Sequence, residues 1–165
     1  MELLKVAQEW AKAEVFSTRF FILFAILFLA ASAGFWQLGK TELAKAYVIP
    51  MLVAGSLLMT IGVGLFFTNK SRINQFEKAY HQDATAFADS EIARVESTLK
   101  QYKVFFKVVP VIIVIAALLI VFVNTPNWRA IGITTIVMMI VILLVDGNAH
   151  ARIDAYHQQL ITLVR

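Results

Sequence analysis

Four runs of apolar residues, each long enough to cross a lipid bilayer, decide what this chain of 165 residues can fold into. They cover residues 18–37, 47–68, 105–124 and 129–146. A helix rises 1.5 Å per residue, so about 20 residues cross the roughly 30 Å of hydrocarbon in a bilayer. The sequence therefore predicts four membrane-spanning α-helices. A signal peptide is the alternative for the first run, but the leader would be long and rich in acidic residues, which favours a span.

The composition is that of a membrane protein. Apolar residues make up 59% of the chain and charged residues 16%, whereas a soluble domain averages about half and a quarter. The chain contains no cysteine, which excludes thiolate metal ligands, thiol catalysis and disulfide bonds. The net charge of +4 has to be judged by where the charges lie relative to the spans.

Helical patterns continue beyond the spans into charged sequence. The longest charged stretch, residues 69–107, lies between the second and third runs and carries apolar residues every three or four positions. The first sixteen residues show the same spacing at Trp10, Ala13 and Phe16. Asp89-Ser90 suits a helix N-cap, so we expect the chain to turn near residue 89.

These patterns together predict the fold class. We expect an all-α, integral membrane four-helix up-down bundle that forms a single domain over residues 1–165. Because the helices outrun the membrane at one end, the bundle should extend about 20 Å into water.

The distribution of basic residues predicts the orientation. Twelve of the fifteen Lys and Arg lie in the N-terminal, middle and C-terminal segments, and only Lys40, Lys45 and Arg129 lie in the two short loops. Cytoplasmic segments of membrane proteins carry such an excess. We therefore expect a multi-pass protein of the bacterial inner (cytoplasmic) membrane with both termini in the cytoplasm, and no nucleic-acid partner.

The two halves of the chain, residues 1–88 and 89–165, resemble tandem copies. Chance similarity between amphipathic helices is the alternative, and both interpretations stay open. If the repeat is real, its two copies are parallel, because each contains an even number of spans. The matches are Ala79-Tyr80-His81-Gln82 with residues 155–158, Glu2–Phe16 with Glu91–Phe105 without gaps, and Trp36 with Trp128.

A line of small residues follows the second span. Ser56, Thr60 and Gly64 recur at a spacing of four, which lets another helix approach closely. We expect this helix-packing groove to pack against a helix of the same chain, with pairing of two copies as the alternative.

Histidines and carboxylates beyond the second and fourth spans form the candidate polar cluster, which comprises Glu77, His81, His150, Asp154 and His157. Facing helices that offer such residues in pairs are the arrangement of di-metal carboxylate proteins. The apolar stripes, however, turn Tyr80 and Tyr156 inward, which places the next residue of each helix about 100° away from the core. We therefore expect rim histidines that bond carboxylates and no cofactor, with a divalent metal as the alternative.

Function is constrained mainly by what the spans lack. They carry no ionisable residue at mid-depth, which disfavours ion-coupled transport. We expect a non-enzymatic binding, scaffold or accessory protein that sits in the lipid bilayer and docks a second copy or another membrane protein through its cytoplasmic extension. One alternative is a metal-dependent membrane enzyme at the polar cluster. The other is a small transporter or channel whose cavity is lined by Ser56, Thr60 and Thr134.

Overall fold

The chain folds into four long α-helices and one short one. The computed structural model describes residues 1–164 and contains no strand in that range; Arg165, one of the basic residues counted above, lies outside it. The helices are α1 (Glu2–Leu38), α2 (Glu42–Ala46), α3 (Val48–Gln82), α4 (Ala84–Phe122) and α5 (Pro126–Val164). Four segments are long and apolar enough to cross a membrane, namely α1, α2 together with α3, α4 and α5. This confirms the predicted all-helical class and the four candidate membrane helices.

The turn between α3 and α4 consists of a single residue, Asp83. Its backbone is extended, and its carboxylate accepts hydrogen bonds from the amides of Thr85 and Ala86 at 2.9 and 3.0 Å. The prediction of a turn near residue 89 is therefore wrong by six residues. Asp83 supplies the N-cap that we expected from Asp89-Ser90, and the Ser90 hydroxyl instead donates to the Phe87 carbonyl within α4.

The helices pack closely in two pairs, α1 with α3 and α4 with α5. A Cβ atom at Gly62 of α3 would lie 2.9 Å from the Phe21 Cβ atom of α1, and one at Gly132 of α5 would lie 2.9 Å from the Ala116 carbonyl oxygen of α4. Glycine is needed at both positions because the two backbones approach too closely for a larger side chain.

The helices of each pair run antiparallel. In the first pair, the amino group of Met1 donates to the Tyr80 hydroxyl at 2.6 Å, while Phe21 contacts Gly62 further along the bundle. In the second pair, Tyr156 bonds Glu91 near one end, and Gly132 contacts α4 near the other.

Two apolar clusters form the core. The cluster at the charged end takes residues from all four long helices, whereas the cluster among the apolar spans takes none from α4. Only 11% of the most apolar stretch of α4 is buried, compared with 33% for α1. In the apolar half, α4 therefore lies at the periphery. The first cluster includes Trp10, Phe76, Phe87, Val95, Tyr156 and Leu160, and the second includes Phe21, Ala25, Phe28, Ala54, Leu58, Val141 and Val145.

The inward face of α1 differs from the predicted one. Phe16, which we placed on the apolar stripe, is 59% exposed. The covered positions alternate in steps of four and three from Ala7 through Ala11, Glu14 and Thr18 to Phe21. This spacing is that of a coiled-coil seam, and it places a carboxylate on the core-facing side.

The predicted small-residue groove is not used inside this chain. Ser56, Thr60 and Gly64 all lie on an exposed face of α3, and nothing approaches the Gly64 position within 4 Å. α1 packs instead against Gly55 and Gly62. The expectation that Ser56, Thr60 and Gly64 pack against a helix of the same chain is therefore wrong, because they lie on the face of α3 that points away from α1.

The repeat stays a prediction. When burial is compared at positions matched by the repeat, the alignment of α3 with α5 agrees better than the alignment of α1 with α4. Matching α3 to α5 by the shared Ala-Tyr-His-Gln segment pairs the buried Leu58 with the buried Thr134, and the buried Asn69 with the buried Val145. The gapless match of α1 to α4 fails this comparison, since it pairs buried Ala7 with exposed Glu96.

We predict that Gly62→Val destabilises the protein by about 1–3 kcal/mol, because the new side chain overpacks the contact between α1 and α3. Gly64→Val on the same helix is the matched control and should leave stability unchanged within about 0.5 kcal/mol, as expected for an exposed site. Thermal unfolding in the same detergent micelles measures both. Equal effects of the two substitutions would contradict the described packing.

Candidate functional site

The structure does not bring the five residues of the predicted polar cluster together. Glu77, His81 and Asp154 are exposed, whereas His150 packs edge-on against the rings of Tyr102 and Phe106. Within residues 1–164, no group of three or more His, Asp or Glu residues lies close enough to hold a metal ion.

The fifth residue, His157, lies beside a carboxylate of another helix. Its Nε2 atom is 3.7 Å from the Glu96 Oε1 atom on α4. The adjacent Tyr156 is buried in the core. The buried tyrosine agrees with the apolar stripe. The expected hydrogen bond is not formed, because 3.7 Å exceeds hydrogen-bond distance and the His157 Nε2 atom has no partner within residues 1–164.

A different set of polar residues surrounds a chamber of about 430 Å³ between the four long helices. The chamber lies where the apolar spans give way to the charged extensions. Apolar and polar side chains both line it. The apolar lining includes Phe21, Leu65, Phe105 and Val145, and the polar lining includes Glu14, Thr18, Asn69, Arg72, Arg94, Thr98, Gln101, Tyr102 and Asp146.

One wall of the chamber is built on a buried ion pair within α4. Arg94 donates from Nε and Nη2 to the two carboxylate oxygens of Glu91 at 2.8 and 2.7 Å, and the Tyr156 hydroxyl donates to Glu91 Oε2 at 3.0 Å. The guanidinium also lies 4.5 Å from the centre of the Trp10 ring, which stacks on Tyr156. Such a two-pronged bond with a cation–π contact satisfies both charges. Burial, and then the charge of Glu91, raise the pKa of Tyr156, so it stays a hydrogen-bond donor.

A second ion pair joins α1 to α5. Arg152 donates from Nε to Glu14 Oε1 at 3.0 Å, and both side chains are mostly buried. Burial raises the pKa of Glu14 even though Arg152 acts to lower it. The Glu14 carboxylate is thus held by one cation at the chamber wall.

Arg72 differs from the other two arginines because no carboxylate of residues 1–164 lies within ion-pair distance of it. It donates from Nη1 to the Asn69 side-chain oxygen at 2.7 Å, and its guanidinium lies 5.9 Å from the Trp10 ring centre. Burial, and then the charge of Arg94, lower the pKa of Arg72. Its positive charge is therefore only partly compensated by protein groups.

Asp146 lines the chamber at the end next to the apolar spans. It takes part in no ion pair or side-chain hydrogen bond within the described part of the chain. It lies ten residues from Tyr156 along α5, which is about 15 Å along the helix axis. Arg72 and Arg94 therefore lie at the Trp10 end of the chamber, and Asp146 lies at the end next to the apolar spans.

The chamber does not continue as a polar path through the spans that the structure describes. Phe21 and Val145, which line it, also belong to the apolar cluster next to it. The three residues of the channel alternative do not line one cavity in the described structure, because Ser56 and Thr60 lie on the exposed face of α3. Thr134 lies in a separate groove at the opposite end of the bundle.

Sequence reasoning missed the residues of the chamber because charged side chains in an amphipathic helix usually face water. The feature that some of them share with Glu91 beside the chamber is a position in the seven-residue seam of their helix, which becomes visible once the buried residues are known. Glu14 precedes the buried Phe21 by seven residues, and Asn69 follows the buried Gly62 by seven. Glu91 likewise precedes the buried Val95 by four.

No protein-family model matches the chain, and no curated protein or solved structure matches it significantly. Proposals about function therefore depend on the chemistry of the chamber itself.

We predict that Glu91→Gln destabilises the protein by about 3 kcal/mol, because it leaves the Arg94 charge in the core without a carboxylate. Glu9→Gln is the matched control, since Glu9 pairs with Lys5 at 4.0 Å on the surface. Such an exposed pair contributes less than about 1 kcal/mol. Thermal unfolding in micelles measures both, and a loss for Glu91→Gln no larger than that for the control would contradict the assigned network.

Proposed function

We propose that this chain is a multi-pass protein of the bacterial inner membrane that binds a small organic anion in its polar chamber on the cytoplasmic side. The proposal includes an up-down-up-down arrangement of the four membrane helices. The four apolar helices and the antiparallel pairs support that arrangement. The excess of Lys and Arg in the segments next to the chamber supports the cytoplasmic orientation.

The chain contains no cysteine, which makes the orientation simple to test. We expect a cysteine introduced as Lys40→Cys, in the first short loop, to react with a membrane-impermeant maleimide added to spheroplasts. A cysteine introduced as Lys78→Cys, near the end of α3, should react only after the membrane is opened. The reverse pattern would contradict the proposed orientation, and labelling of both sites would contradict an intact span between them.

The binding proposal depends on Arg72, which lines the chamber and has no carboxylate within ion-pair distance among residues 1–164. A guanidinium in a chamber that the solvent reaches only in part binds carboxylates and phosphates well, because its planar donors match two oxygens at once. The other two arginines already hold Glu91 and Glu14. Within residues 1–164, Arg72 forms no ion pair, and its side chain bonds the neutral side chain of Asn69 and lies 5.9 Å from the Trp10 ring centre.

The chamber walls also favour a particular shape of ligand. An anionic group at Arg72 lies next to the Trp10 ring, and the rest of the molecule extends towards the other end of the chamber. Thr98 and Gln101 offer hydrogen bonds along the way, and Asp146 accepts them at the membrane end. The ligand class is therefore an elongated organic anion that carries hydrogen-bond donors at its far end.

This proposal keeps the expectation of a non-enzymatic protein and assigns recognition to the chamber instead of the outer surface. Binding is favoured over transport because Phe21 and Val145 close the chamber on the membrane side. Such a site suits a protein that senses the anion on the cytoplasmic side, or an accessory subunit of a larger membrane assembly.

We predict that at least one member of a panel of dicarboxylates, sugar phosphates and nucleoside monophosphates stabilises the purified protein. A ligand at a hundred times its Kd contributes about 2.7 kcal/mol, which a thermal shift in micelles detects. Arg72→Gln should weaken binding by roughly tenfold to a hundredfold, because it removes a charged hydrogen-bond donor.

Lys70→Gln is the matched control, because it removes an exposed cation two residues away on the same helix. The control should bind like the unaltered protein. Failure of the whole panel, or equal loss of binding in both variants, would contradict the assignment of Arg72 as the anion site.

A further inference from the structure

A second concave site lies at the opposite end of the bundle and shares no residue with the chamber. It is a groove of about 510 Å³ between α3 and α5 on the side of the two short loops. Most of its walls are apolar, and its charged residue is Lys45 at the loop end, which Asn127 also lines. The apolar walls include Ile49, Val53, Leu57, Ile131 and Met138.

The groove is as deep as one leaflet of a bilayer. Asn127 and Lys45 precede the spans at residues 129–146 and 47–68, so they lie at the membrane interface. From Asn127 to Met138 is eleven residues along α5, or about 16 Å, and one leaflet contributes half of the roughly 30 Å of hydrocarbon. The groove therefore runs from the interface to the middle of the membrane.

The charge at the mouth of the groove is uncompensated within the described chain. No carboxylate of residues 1–164 lies within ion-pair distance of Lys45. A cation at the interface attracts anionic lipid headgroups. The apolar walls below it suit a hydrocarbon chain, because Ile49, Val53 and Leu57 leave much of their surface uncovered by protein.

We propose that this groove binds one anionic phospholipid from the leaflet on the side of the short loops. The headgroup phosphate bonds the ammonium group of Lys45, and the Asn127 amide donates to the same headgroup. One acyl chain lies along the groove between α3 and α5 and covers Val53 and Leu57. This proposal is independent of the anion site in the chamber.

Native mass spectrometry of the full chain in non-ionic detergent tests the proposal with phosphatidylglycerol and phosphatidylcholine as the probes. At equal lipid concentrations, we expect one phosphatidylglycerol per chain to be retained in preference to phosphatidylcholine. Lys45→Gln should reduce that preference about fivefold, the factor expected for one cation near an anionic headgroup. Lys40→Gln, in the same loop but outside the groove, should leave it unchanged.

A second pair of variants tests the path of the acyl chain. Val53→Trp fills the groove and should abolish retention of both lipids, whereas Val63→Trp on the same helix lies outside the groove and should not. Equal losses from Lys45→Gln and Lys40→Gln would overturn the proposal in favour of diffuse charge attraction. Retention that survives Val53→Trp would also overturn it. A lipid-free dimer in which Val53→Trp blocks association would assign the groove to a second copy of the chain.

Discussion

A buried seam with a seven-residue repeat runs along the helices from the apolar spans into the charged extensions, and the rest of the structure depends on its continuity. On α1 the covered positions pass from Ala7 through Glu14 to Phe21 without a change of step. On α4 they pass from Glu91 through Val95 and Thr98 in the same way. Because one face of each helix stays inside in both environments, the polar residues at the boundary are carried into the core.

The energetic consequence is a set of ions that must find partners inside the bundle. Removing a charge from water costs several kcal/mol, and a well-packed apolar layer in its place is often more stable. Glu91 forms an ion pair with Arg94, and Glu14 forms one with Arg152. The Tyr156 hydroxyl also donates a hydrogen bond to Glu91. Arg72 has no ion-pair partner within residues 1–164, and its bond to the neutral Asn69 side chain compensates its charge only in part. This surplus of charge beside a chamber is the physical basis for proposing a ligand.

The four helices that are long and apolar enough to cross a membrane could be predicted from the sequence, because run length and the absence of charge are local properties. The position of the turn could not, because Asp83 and Asp89 both suit a helix cap and the apolar stripe continues past both. The candidate polar cluster, with a divalent metal as its alternative ligand, was grouped by the approximate depth of its residues along the bundle. Rotation about the helix axis, at about 100° per residue, instead places Glu77 and His81 in water.

The chamber required information that no single segment contains. Each of its charged residues lies in a stretch that has enough exposed charge to pass for an ordinary amphipathic helix. Arg94, for example, follows three residues after Glu91, a spacing that also occurs in pairs on helix surfaces. Only the alignment of four seams around one axis shows that Arg94 and Arg72 both lie beside Trp10.

The one-residue turn at Asp83 holds α3 and α4 together at one end of the bundle. The last residue of α3 and the first of α4 are separated by two peptide links, so these two helices cannot move apart there. If the two helix pairs move apart, the distance between them therefore changes least at Asp83 and most at the opposite end of the bundle. The chamber lies part of the way along the helices. The groove between α3 and α5 lies near the end opposite the turn, where a small change of the angle between the helix pairs gives the largest displacement.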